Sequence, residues 1–226
     1  MIKLEKRPEP KILIDNAKNW TEEYCKCLDN NEKPNSVIAH RYNHPEIKDA
    51  LEHETHGKCA YCESYIKHVS YGDIEHILPK NKNARPDLYV TWSNLTLSCE
   101  LCNRSGKGTY YNPKMPLINP YIDNPEDHFV EMRAFIKEIP GDQRAKTTIE
   151  ILNLNRAGLV ERRKERIDSI KTLLDFWKSL NESKSGREKD MKEKLENQLR
   201  KEVSEDKEYI STVKSFLLDN DFPLYT

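Results

Sequence analysis

The sequence predicts an α+β protein, mostly α, in which helical segments flank a small unit of two short strands, a loop and one helix. Three observations predict it. Apolar residues recur at helical spacing before residue 57 and again after residue 141. Between these regions alternation replaces the helical period over 64–71, Gly72 marks a turn, and 73–78 reads as the returning partner. Two Cys-x-x-Cys pairs, Cys59/Cys62 and Cys99/Cys102, enclose that stretch.

Residues 3–10 are charged and punctuated by proline, which reads as an extended arm. Leu13, Ala17, Trp20, Tyr24, Cys27 and Leu28 then repeat at helical spacing up to a polar loop at 29–34. Cys25 and Cys27 lie on this helix with their thiols roughly 200° apart, poor geometry for chelation, so they are packing or exposed thiols. A second helix starts at Asn43 or His44, with Pro45 in its first turn, and stops at Gly57. It turns Ile47, Ala50 and Leu51 inward, and His53 and His56 at its end meet the helix dipole. Residues 64–71 read as a strand and Asp73–Leu78 as its returning partner, ended by Pro79. A basic loop at 80–87, a short buried segment at Leu95–Leu97 and a helix over Cys99–Ser105 follow.

Four prolines in 113–125 mark a wrapping loop, and Phe129–Ile139 fits a hairpin. Ile149, Leu152 and Leu154 lead into a long amphipathic face through Leu159, Val160, Ile167, Ile170, Leu174 and Trp177, with Asn155 as its cap. Residues 181–186 break it. A charged helix carries Met191, Leu195 and Leu199, and a last helix, capped by Ser204, carries Ile210, Val213, Phe216 and Leu217. The lysines and glutamates of these helices read as a solvated face.

Composition bounds the function. The chain has 226 residues, 33% of them charged, a formal net charge of −1 and a mean hydropathy of −0.87. Its apolar residues are periodic, which excludes a disordered chain, and no run of about 18 apolar residues spans a membrane. A cytoplasmic location is expected, where thiols stay reduced and paired cysteines mean metal rather than disulfides. A protein that grips nucleic acid unaided is usually basic, and this one is not, so DNA contact must come from a local patch or a partner.

The two cysteine pairs, separated by residues 63–98, have the spacing of a four-thiolate tetrahedral zinc site. Four protein ligands leave no position for water, so this zinc is structural, stapling the small unit together. Between the pairs, Glu75 and His76 adjoin at the end of a strand; a carboxylate suits Mg2+ or Mn2+, and a neutral imidazole suits a general base. Adjacent strand residues face opposite sides, so the strand must bend or end there for both to serve one function. Asn103 can add a carbonyl oxygen to the same ion, and Asn94 can orient the histidine through its far ring nitrogen or the adjoining backbone.

The order Cys-x-x-Cys, Glu-His, Asn, Cys-x-x-Cys-Asn over residues 58–113 resembles the HNH endonuclease family, whose ββα-metal fold surrounds one catalytic divalent ion. The resemblance implies that His76 activates water, that Asn94 fills the middle asparagine position, and that Glu75 and Asn103 hold the ion, with Asp73 as a further acidic contact. The last position is Asn, so the motif is strictly H-N-N, with weaker donation to the metal that favours Mg2+. Lys80, Lys82, Arg85, Arg104 and Lys107 flank these positions as a local phosphate patch.

The opening decapeptide, residues 58–63, 117–129 and 148–163 further resemble the HNH effector subunit of Septu-type antiphage systems, also found beside retrons. This resemblance implies a partner, an ABC/SMC-like ATPase. The expected organisation is 1–57, an arm and helices; 58–113, the nuclease core; and 114–226, a wrapping loop, hairpin and helical interaction region. The rival readings are a standalone restriction-type HNH enzyme and a zinc-stabilised adaptor that binds nucleic acid or protein without cutting. The adaptor needs only the four cysteines and leaves His76, Asn94 and Asn103 unexplained.

Overall fold

A computed structural model describes residues 1–66, 72–180 and 185–225. Helix α1 (Lys11–Asp29) buries Leu13 and Tyr24 on the stripe its spacing dictates, and Glu46 accepts from the first-turn amide of Ile12 at 2.9 Å. A short helix α2 (Ser36–Ala39), capped by Asn35, leads to α3 (Pro45–Glu54). His44 caps α3, Pro45 opens it, and the Gly57 amide closes it by donating to Glu52 O at 2.8 Å with φ of +68°. This is the six-to-one bond of a helix-ending left-handed turn.

Strand β1 (Asp73–His76) is present. It pairs antiparallel with β2 (Leu95–Ser98), in the register Asp73–Ser98, Ile74–Leu97, Glu75–Thr96 and His76–Leu95. The expected strand over 64–71 lies partly outside the described residues; Tyr65 forms only an isolated bridge to Lys58. The pairing of β1 with β2 is hydrophobic in origin: Leu95 and Leu97 are fully buried, each worth about 1.5–3 kcal/mol of apolar transfer. The Cys59–Cys62 knuckle then adds to the edge of β2, with the Ala60 amide on Leu97 O at 3.0 Å.

After β2 comes α4 (Glu100–Cys102), continued by one wide turn over Asn103–Lys107. The chain then runs irregularly, with one 3-10 turn at Pro125–Asp127, to the antiparallel hairpin β3 (Phe129–Met132) and β4 (Phe135–Glu138). Helices α5 (Gln143–Ile151), α6 (Ala157–Ser179), α7 (Gly186–Lys201) and α8 (Ile210–Leu218) complete the fold. Two expected caps are corrected. Asn155 does not cap α6: its side chain bonds both the N–H and C=O of Ile136, at 2.9 and 2.8 Å, and so ties β4 to α6. Ser204 bonds Asp206 and Lys201, while α8 begins later, after Tyr209.

One core joins α1, α3, the cysteine unit, β1, β2 and the start of α6; a second gathers Ile170, Leu174 and Trp177 of α6 with Leu199 and Val213. Helix α6 therefore belongs to both. Its Arg163, 1% exposed, is satisfied by the carbonyls of Leu154 and Ala134 at 2.8 and 3.3 Å. Among the described residues no helix is long and apolar enough to cross a membrane.

Candidate active site and metal centre

Cys59, Cys62, Cys99 and Cys102 are all buried, and their sulfurs lie within 4.8 Å of one another. Cys62 and Cys99 are 3.8 Å apart. A zinc tetrahedron with bonds of about 2.3 Å has edges of about 3.8 Å, so the four thiols fit the ion. The charge around them fits as well. The Arg156 guanidinium reaches Cys62 and Cys102 at 3.6 Å and Cys99 at 3.9 Å, offsetting the excess negative charge of four thiolates. Burial pushes the Cys59 thiol up, while hydrogen bonds from neighbouring thiols, Cys102 first, hold Cys62 well below its usual range.

The knuckle is also an anchor for the C-terminal region. Lys58 donates to the carbonyls of Glu205 and Lys207 at 2.6 and 2.8 Å, Ser64 meets the Tyr209 hydroxyl at 3.0 Å, and Glu63 accepts from Ser211 Oγ at 2.5 Å. Cys25 and Cys27 are half-buried on α1 and take no part in the four-thiol cluster.

His76 ends β1 and is 7% exposed. Its Nε2 lies 2.7 Å from Tyr89 O. A carbonyl only accepts, so Nε2 carries the proton and Nδ1 keeps its lone pair. Burial, reinforced by the Lys80 charge, pushes the imidazole down to about 3, so it is neutral at ordinary pH. Its walls come from far along the chain. Tyr42 meets the ring edge-on at 4.7 Å, and Tyr89 lies parallel to it and stacks on Tyr24 at 4.1 Å. The Lys80 ammonium sits 3.4 Å above the Tyr42 ring, and burial lowers it to about 8 against the opposing charge of Glu75. Tyr24, Tyr42 and Tyr89 were invisible as site residues because only the folded N-terminal helices bring two of them here.

The remaining polar residues divide into two groups. Asp73 is held by Arg104, at 2.8 and 3.0 Å, and by the Asn103 amide at 3.3 Å. Glu75 is 4% exposed, and burial raises its carboxyl. Lys107 Nζ forms an ion pair with its Oε1 at 2.5 Å and donates to His76 O at 2.8 Å. Glu75 Oε1 is thus held by the charge of Lys107, which lowers its carboxyl against the burial that raises it, and a carboxylate oxygen is the donor type a hard cation takes. Asn94, also buried, holds the backbone beyond His76: it accepts from Leu78 N at 2.8 Å and donates to the carbonyls of Leu78 and Leu88. Of the two ways it could orient His76, the backbone route is the one present; the far ring nitrogen is taken by Tyr89.

The basic residues are all engaged. Lys82 bonds Asn31 at 2.6 Å, Arg85 pairs with Asp87 at 2.6 Å, and Arg104, Lys107 and Lys80 are committed as described. Two further contributors were hidden in sequence: Arg156, one cation in a charged stretch, and the tyrosine wall.

Residues 59–107 match the family described as HNH endonuclease. A "Septu protein PtuB" of Bacillus thuringiensis is 35% identical over 229 residues, spanning 98% of this chain and 83% of that protein. The chain belongs to this HNH-containing Septu PtuB family. A second PtuB, from Bacillus mycoides (strain KBAB4), is 29% identical over 72% of this chain and 66% of its own length. A "Retron Vc95 putative HNH endonuclease" of Vibrio cholerae serotype O1 biovar El Tor is 32% identical over 58% of this chain and 68% of its own. No solved structure matches. Membership makes the chain a nuclease, and the zinc-fitted hairpin and helix are the family's core.

Proposed function

We propose that the chain is a divalent-metal-dependent endonuclease that hydrolyses DNA phosphodiester bonds as the effector of a bacterial antiphage defence complex with an ATPase partner. The observation that carries the chemistry is the 2.7 Å bond from His76 Nε2 to Tyr89 O, which presents Nδ1 of a neutral imidazole as the base. His76 takes a proton from a water in line with the scissile phosphorus, leaving 5′-phosphate and 3′-hydroxyl ends. Glu75 and Asn103 hold Mg2+ or Mn2+, with Asp73 as a further acidic contact through its bond to Asn103. The ion, when bound, offsets charge on the phosphate and the leaving oxygen. Asn94 fixes the loop that carries Tyr89's neighbour Leu88, and so the position of the imidazole's partner.

The partner follows from charge. With a net charge of −1 and the five cations that flank the site each holding a contact within the chain, the site by itself offers little uncommitted positive charge to hold a duplex. The PtuB relatives and the retron relative support a defence setting, and the ABC/SMC-like ATPase is the recruiting subunit in this reading. The segment division 1–57, 58–113 and 114–226 is then functional: wall, core and interaction region. The test is cleavage of plasmid DNA by purified protein, alone and with the co-purifying partner, in Mg2+ or Mn2+ and after EDTA. Metal-dependent nicking stimulated by the partner is expected; nicking undiminished by EDTA overturns the mechanism.

A further inference from the structure

One cavity beside the candidate site is used by none of the chemistry above. It is a half-open cleft of about 430 Å3, within the range that holds small organic groups. One wall is the chain immediately past His76, Ile77 and Leu78, with Lys107 next to them. The opposite wall is the segment 110–123, which contributes Tyr110 and Tyr111, with Ile122, 78% exposed, at the rim. The lining acid, Asp123, is neutralised by the Arg144 fork at 2.8 and 3.1 Å. Asn112 accepts from Lys114 N and keeps its amide N–H groups as donors.

We propose that this cavity receives an unpaired nucleobase of the substrate, next to the scissile phosphate. The proposal rests on the nuclease reading of His76 and adds the substrate class. The position argues for it: Lys107 lines the cavity and touches both Glu75 and His76 O, so a phosphate at the site lies one side-chain layer from the cavity. The chemistry agrees, since two lining tyrosines, the apolar side chains beside them and the Asn112 amide can meet the faces and edge of a base. A base within a duplex enters such a cavity only by leaving its stack, a cost that a bulge, loop or single strand avoids. The site therefore selects substrates with an unpaired nucleotide at the cut.

The experiment uses full-length protein and a DNA hairpin carrying 2-aminopurine as a single-nucleotide bulge, with the perfectly paired hairpin as control. Binding is read by fluorescence without added Mg2+ or Mn2+ and with no chelator, so that the thiolate zinc is kept, and cleavage separately in Mg2+ or Mn2+. The bulged probe is expected to bind about tenfold more tightly than the paired one, the worth of one base–aromatic stack, with quenching of 2-aminopurine. Tyr111→Ala removes both the preference and the quenching, and Tyr111→Phe retains them. Ile122→Trp, a rim change that leaves the core untouched, also removes them by filling the mouth. Equal binding of both probes, or quenching that survives Tyr111→Ala and Ile122→Trp, overturns the proposal while leaving the nuclease reading intact. The same holds if a protein partner's side chain occupies the cavity and the complex shows no quenching. Tyr111-dependent quenching without metal-dependent cleavage supports the base site and removes the nuclease reading.

Discussion

Arg156 gives the sharpest prediction about the metal centre. Four thiolates around one Zn2+ leave two units of negative charge in a buried space, and the guanidinium meets three of the four sulfurs at 3.6–3.9 Å. Arg156→Gln keeps a donor and similar bulk but removes the charge. Loss of an outer partner of a metal ligand typically costs about 10–100-fold in metal affinity, or about 1.4–2.7 kcal/mol at 1.36 kcal/mol per decade. Arg156 lies just before α6, and its second role is a bond to Asn153 O at 3.3 Å, so the helix itself should survive. Competition with a chromophoric chelator measures the zinc dissociation constant directly. Wild type should hold zinc about 10–100-fold more tightly than Arg156→Gln, with Arg156→Lys between them. A constant within twofold of wild type for Arg156→Gln would refute the charge argument.

Three other substitutions probe the candidate site. Asn94→Ala deletes three bonds to the main chain of Leu78 and Leu88 and should cost about 2–4 kcal/mol in urea unfolding; a loss below about 0.5 kcal/mol would contradict its role in fixing the loop. Lys107→Met strands the buried Glu75 carboxylate, since both side chains are 5% exposed or less, and should cost about 3–5 kcal/mol, recovered in part by Mn2+. No dependence of its stability on Mn2+ would count against Glu75 as a metal ligand. Gly106→Ala places a Cβ 3.0 Å from the carbonyl oxygens of Leu101 and Ile151; neither is a flexible side-chain end, so thermal unfolding should show a loss of about 1–3 kcal/mol.

The helices were legible because periodicity, Pro45 and Gly57 are local signals, and the metal centre because Cys-x-x-Cys doubled is a chemical one. Strand pairing was not. β1 pairs with β2 across an intervening loop, and the burial of Leu95 and Leu97 that favours this partner is a tertiary signal. Asn155 looked like a cap because it precedes a helix, yet its amide matches the free backbone of Ile136 across the fold. The same limit applied to the site. His76, Glu75 and Asn94 could be found as a motif, whereas Tyr42 is 34 positions from His76 and Arg156 is 54 from Cys102, separations that only tertiary structure closes.

The central claim is that the buried, neutral His76 is the base of a metal-dependent nuclease whose fold is set by a separate thiolate centre. The most direct measurement is DNA cleavage by His76→Ala with zinc content determined on the same sample. The account predicts one zinc per chain, as in wild type, and cleavage reduced at least about a hundredfold, the contribution of a positioned general base. Full cleavage by His76→Ala with zinc retained would contradict it.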